Sequence, residues 1–111
     1  MTLSSWTVST LNAVVDAEIK ALPADIQARF LRIAGLIQAV GLDQVGEPHV
    51  KHLDGKLWEM RMSGRDGIAR ALYVVVVNRR VVVVRAFAKK TQRTPRREIE
   101  LALSRAKELL P

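Results

Sequence analysis

Leu57-Trp58-Glu59-Met60-Arg61-Met62, Ile68-Ala69-Arg70-Ala71-Leu72-Tyr73-Val74-Val75-Val76-Val77 and Val81-Val82-Val83-Val84-Arg85-Ala86-Phe87-Ala88 follow one another closely, and their reading decides the fold. Each run is β-branched or alternates apolar with polar residues, the period of a strand. They are separated by Ser63-Gly64-Arg65-Asp66-Gly67 and Asn78-Arg79-Arg80, short segments of turn-forming residues. Three consecutive antiparallel strands are predicted. The two valine runs contain no polar member, which predicts burial on both faces and a central place in the sheet.

Toward the N-terminus the period lengthens. Ile26, Phe30, Ile33, Ile37 and Val40 recur at spacings of four and three, so a helix is predicted from the first turn at Pro23 to the stop at Gly41. Leu11, Val14, Val15, Ile19 and Leu22 mark a preceding helix, with Asp16, Glu18 and Lys20 off its apolar face. Ser4 to Ser9 alternates weakly and reads as a short first strand. Leu42 to Gly55, rich in Gly, Pro, Asp and His, reads as a loop. Thr94 and Pro95 read as the cap and first turn of a last helix with Ile99, Ala102, Leu103, Ala106 and Leu110 on its apolar face. The class is α+β: an N-terminal strand, a helical hairpin, a three-stranded antiparallel meander and a C-terminal helix. The helices are expected on one sheet face, with the other partly open. Residues 1–111 are expected to form a single domain.

Composition narrows the chemistry. The 111 residues include no cysteine, which removes disulfides, thiolate metal sites and a Cys nucleophile and suits a reducing cytoplasm. No apolar run reaches the roughly 18 to 20 residues that span a bilayer, and the first ten residues lack a secretory pattern, so no membrane association is expected. A formal net charge of +7 points to a polyanionic partner. His49-Val50-Lys51-His52 has a spacing open to metal ligation, but no carboxylate cluster completes a site; no metal or other cofactor is expected. Ser-His-Asp, phosphate-loop and dinucleotide-binding signatures are lacking.

Strand alternation sets Trp58, Met60 and Met62 toward the helices and Glu59 and Arg61 toward the open face. Arg70 and Arg85 are lone charges in apolar strands, open to two roles: pairing with Glu59 or the backbone, or contact with a ligand. Phe87-Ala88-Lys89-Lys90-Thr91-Gln92-Arg93 adds an aromatic ring and three cations at the rim of that sheet. Arg61, Arg70 and Lys89 or Lys90 can converge there on a phosphodiester and stabilise charge that develops during cleavage. Tyr73, Phe87 and Trp58 are candidate stacking surfaces for unpaired bases, with core packing the alternative for Trp58 and Tyr73. Arg93, Arg96 and Arg97 gather at the start of the last helix, where the helix dipole disfavours cations and an anionic partner would relieve them.

Pro48 to Arg61, with its Leu-Trp-Glu-Met-Arg core, Ile68 to Tyr73, and Ala86 to Pro95, with Phe87-Ala88-Lys89-Lys90-Thr91 and Thr94-Pro95, together closely resemble the phage-derived, HigB-like branch of the RelE/ParE toxins. The resemblance runs over nearly the whole chain. It implies the toxin of a type II toxin-antitoxin system, which enters the ribosomal decoding site and cuts mRNA with the RNA 2′-hydroxyl as nucleophile and no metal. In that scheme Arg61 and Arg70 hold the scissile phosphate, Lys89 or Lys90 stabilises the transition state or protonates the leaving oxygen, and Phe87 shapes the base pocket. Glu59, Tyr73, Arg85 and Arg93 complete the candidate RNA contacts. Glu59 stands where RelE has a basic residue, so it serves as a base or pairs with Arg61 or Arg70. An acidic helix-turn-helix antitoxin is the implied partner, in a toxin-antitoxin hetero-oligomer, besides the ribosome and mRNA. Two other classes remain open on the same fold: a ParE-like gyrase inhibitor and a non-catalytic nucleic-acid-binding module.

Overall fold

A computed structural model describes residues 5–110. The elements are β1 (Thr7–Thr10), α1 (Ala13–Lys20), α2 (Ala24–Val40), a 3-10 turn (Leu42–Gln44), β2 (Val50–Asp54), β3 (Leu57–Gly64), β4 (Gly67–Val76), β5 (Arg80–Lys89) and α3 (Arg96–Ala106). The α+β class and the β3-β4-β5 meander are as predicted. The sheet has five strands in the order β1-β5-β4-β3-β2, with β1 parallel to β5 and the other pairs antiparallel.

Several details differ from the sequence reading. The 42–55 segment is more than a loop, because it carries the 3-10 turn and edge strand β2. Only Val50 of β2 is buried, so no alternation announced it. The first strand starts three residues later and ends one residue later than predicted from Ser4–Ser9, and Ser4 itself lies outside the described residues. Asn12 caps α1 by accepting from the Val15 N–H at 3.1 Å, and Val14 is exposed rather than inward. Pro23 and Pro95 are the caps of α2 and α3, neither with a side-chain bond. Thr94 is therefore not a helix cap: its hydroxyl donates to Glu59 Oε2, 35 residues away, at 2.6 Å.

The helical hairpin covers one sheet face as expected. Ile26, Phe30, Ile33 and Ile37 of α2 pack with Met60, Met62, Ala69, Ala71, Tyr73, Val83 and Ala86. Rows of alanine under a helix let it approach the strands closely. The expectation that all helices share that face is corrected by α3. Its Ile99, Ala102 and Ala106 pack with Leu57, Leu72, Val74, Val82, Val84 and Phe87 on the other side. Layers on both faces explain why β5 reads as unbroken valine, all four of which are buried. The run in β4 is central only at its start, since Val75 is 37% and Val77 77% exposed as the chain leaves the sheet. There Asn78 and Arg79 take φ of 66° and 56° in the turn.

The register lays out what α3 leaves uncovered. Arg61, Arg70 and Phe87 form one cross-strand row, and Ser63, Ile68 and Lys89 the next, toward the β3-β4 turn. Further back a bulge in β5 puts Val83 opposite Tyr73 and Arg85 opposite Leu72, leaving Val84 as the extra residue. β1 covers β5 only through Val83. Past it, two side chains satisfy the exposed edge: Arg105 donates to the Val84 carbonyl at 2.9 Å, and the Ala86 N–H donates to Glu18 at 3.1 Å.

Candidate phosphate-binding cleft

Arg61 on β3, Arg70 on β4 and Lys89 at the end of β5 converge on one residue, Gln92, in the connection to α3. Arg70 Nη2 donates to the Gln92 side-chain oxygen at 3.1 Å and to its backbone carbonyl at 3.2 Å. Arg61 Nη2 reaches the same side-chain oxygen at 3.4 Å, and Lys89 Nζ the same carbonyl at 2.9 Å. Phe87 sits beside Arg70 in the cross-strand row. The connection is pinned just beyond, where Thr94 bonds to buried Glu59.

Glu59 lies beneath the cluster as its counter-charge. Its carboxylate is 3.6 Å from Arg70 Nε and 3.9 Å from Arg61 Nε, ion pairs too long for hydrogen bonds. Arg70 is 2% exposed. Besides Gln92 it donates only to the Ala69 carbonyl, at 3.0 Å, and its Nε has no hydrogen-bond partner. Burial presses the Arg70 pKa down, Glu59 opposes this and Arg61 adds to it. Lys89 is likewise lowered, by burial first and then by the charge of Arg70. An ammonium so placed parts with its proton more readily than a free lysine.

Two adjoining clefts open at this cluster, and both are walled by Arg61 and Gln92. One, of about 350 Å³, extends past Arg70, His49 and Arg29; the other, of about 310 Å³, extends past Glu59, Arg93 and Arg96. Together they make a groove rich in guanidinium groups. Among the described residues, no group of three or more His, Cys, Asp or Glu side chains stands where it could hold a metal ion.

The remaining candidate residues fall elsewhere or at the margin. Lys90 is exposed beyond the end of β5, and Arg93 is an exposed wall of the second cleft. Arg85 is taken up by ion pairs to Glu18 at 2.8 Å and Glu98 at 3.0 Å, and lies 5.5 Å over the Phe87 ring. These join α1, β5 and α3, and Arg105 joins them through Glu18 at 2.9 Å. Tyr73 is fully buried on the hairpin side, away from Arg70, with its hydroxyl unpaired and its pKa raised by burial. Trp58, expected to face the helices, is 38% exposed and meets His52 edge-on at 5.1 Å beside a cavity of about 620 Å³ shared with Trp6 and Tyr73. His49 and His52 thus line different clefts. Arg96 pairs with Asp54 at 2.6 Å, so one of the three arginines at the α3 start is balanced from β2. Gln92 carries no sequence signal, being a neutral residue between Thr91 and Arg93 in a basic stretch.

A comparison with curated proteins finds no match. Among solved structures, a chain of the archaeal RelE-RelB complex from Pyrococcus horikoshii OT3 is similar with a TM-score of 0.55 at 19% identity, over 77% of this chain and 96% of that one. The likeness is one of fold, and it agrees with the RelE-like architecture that the family resemblance implied. The family described as Phage derived protein Gp49-like matches residues 17–107, a span that starts within α1, ends just past α3 and contains the whole Arg61-Arg70-Lys89-Gln92 cluster. The chain belongs to this Gp49-like family of phage-derived proteins.

Proposed function

We propose that the chain is the toxin of a type II toxin-antitoxin system, of the HigB-like branch, and that it cleaves mRNA on the ribosome. The observation that carries this reading is the convergence of Arg61, Arg70 and Lys89 on the two oxygens of one residue, Gln92, at the uncovered end of the sheet. Three cations around a pair of neighbouring oxygens suit a phosphodiester better than a protein surface, because planar guanidinium forks match the oxygens of phosphate. Arg61 and Arg70 hold the non-bridging oxygens and neutralise the charge that grows on them as the RNA 2′-hydroxyl gives its proton to solvent water, its oxygen bonds to phosphorus and the bond to the 5′-oxygen breaks. Lys89, with its lowered pKa, gives a proton to the departing 5′-oxygen. Lys90, exposed beyond the strand, adds general positive charge.

Glu59 holds the two arginines in place rather than acting as a base, since its carboxylate is buried and occupied by Thr94. Arg93 borders the backbone of the bound strand, and Phe87, buried against α3, packs beside Arg70 rather than against a base. Arg85 keeps α3 on the sheet, and Tyr73 packs in the core. An acidic helix-turn-helix antitoxin, drawn by the net charge of +7, is the proposed partner, and the cytoplasm the proposed location. The test is a translation reaction in which mRNA ends are mapped after addition of the protein. New ends with the wild type and at least a hundredfold fewer with Arg70→Ala are expected, the usual loss when one charge-stabilising donor is removed. Intact messages at a dose that stops growth, with inhibited gyrase supercoiling, would overturn the reading.

A further inference from the structure

Arg70 presents a difficulty for any phosphate-binding role, because at 2% exposure it cannot touch RNA as it stands. What lies over it is Gln92, an exposed residue in the connection between β5 and α3. We propose that Gln92 gates the phosphate site: its side-chain oxygen holds the position of a phosphate oxygen between Arg61 and Arg70, and RNA binds by displacing it. The inference rests on the ribonuclease reading above and adds a residue to it.

Gln92 imitates a phosphate group in its bonding. One oxygen is shared by two guanidinium groups, at 3.1 and 3.4 Å, and a second by Arg70 and Lys89, at 3.2 and 2.9 Å. Both are neutral amide oxygens, and a charged oxygen in their place makes hydrogen bonds roughly twice as strong. Arg70 also keeps unused capacity, for its Nε makes no hydrogen bond and its carboxylate neighbour stays at 3.6 Å. The cluster is thus held together by a weaker acceptor than the one it suits.

The gate can open cheaply. Residues 90–95 belong to no helix or strand, and on the far side the chain is anchored independently by the Thr94-Glu59 bond. Moving Gln92 outward therefore breaks side-chain contacts and two carbonyl contacts but no ladder or helix bond. In the closed state the amide shields three mutually repelling cations from one another. A gate of this kind favours ligands that bring a full negative charge and can form a bidentate pair with Arg70.

The experiment measures affinity for a short RNA carrying a 2′-O-methyl group at the scissile position, by anisotropy at fixed salt, with thermal melting and the KM for cleavage of the unmodified message on programmed ribosomes. Gln92→Ala removes the competing oxygen and is expected to bind about three- to tenfold more tightly with a lower KM. Gln92→Glu places a carboxylate between the arginines and is expected to bind at least about tenfold more weakly while melting no lower than the wild type. Gln92→Asn, too short to reach both guanidinium groups, should resemble Gln92→Ala. A mere brace would give the opposite for alanine: a lower melting point and weaker binding. That result, or equal affinities for all three variants while Arg70→Ala still loses cleavage, overturns the gate and leaves the ribonuclease reading standing. Arg70→Ala binding and cleaving like the wild type would overturn both.

Discussion

Removing the Arg85 guanidinium strands Glu98, because Glu18 keeps Arg105 and the Ala86 N–H while the Glu98 carboxylate has no other partner among the described residues. Arg85→Ala is expected to cost about 1–3 kcal/mol in urea unfolding, less than for a fully buried pair because these side chains are 11–21% exposed. Cleavage per folded molecule should persist. Arg70→Lys should do the reverse: it keeps the charge, loses the planar fork, and is expected to lower cleavage at least tenfold at near-normal stability. In the sequence these two arginines are equivalent, each the lone charge in an apolar strand. Their different fates depend on Glu18, Glu98, Glu59 and Gln92, which lie on other elements, and a single sequence carries no sign of such distant pairings. The Phe87-to-Arg93 stretch was readable as a basic rim because strand alternation is local; that Lys89 rather than Lys90 joins Arg70 follows from where β5 ends.

At the scale of elements, one ion cluster fastens α1, β5 and α3, and Glu18 is its centre. Burial works to raise the Glu18 pKa, but hydrogen bonds from Arg105 and the Ala86 N–H and the charge of Arg85 outweigh it, so the net shift is downward. A carboxyl group with a lowered folded pKa stabilises the protein fully above its ordinary value of 4.5 and loses that contribution as pH falls through the folded value. The melting temperature should therefore drop steeply below about pH 4.5, and Glu18→Gln, less stable at pH 7, should show a shallower drop. The β3-β4 turn makes a second tight junction. A Cβ on Gly64 would lie 2.5 Å from Asp25 Oδ2 and 2.7 Å from Ile26 Cγ1, so Gly64→Ala is expected to destabilise by about 1–3 kcal/mol in urea unfolding. The stripe of α2 and the valine strands were legible because periodicity is written along the chain. β2 was not, because an edge strand with one buried residue has no period to read, and neither was the choice of face for α3, which five apolar residues at helical spacing leave undetermined.

For the whole molecule, the two sheet faces divide the work: α2 closes one, and α3 closes part of the other, leaving a groove where the positive charge gathers. The net charge of +7 announced a polyanion without locating its seat. RNA affinity should fall with salt by about 0.7 in log–log slope for each phosphate neutralised, and Arg70→Ala should reduce that slope by about one such step, measured by anisotropy between 50 and 200 mM salt. The central claim, that Arg61, Arg70 and Lys89 assemble around a scissile phosphate, is tested most directly by mapping mRNA ends at nucleotide resolution in a translation reaction. The wild type should create discrete new ends within translated messages, and both Arg70→Ala and Lys89→Ala, folded by circular dichroism, should lose them. New ends undiminished in both variants, or none with the wild type, would contradict it.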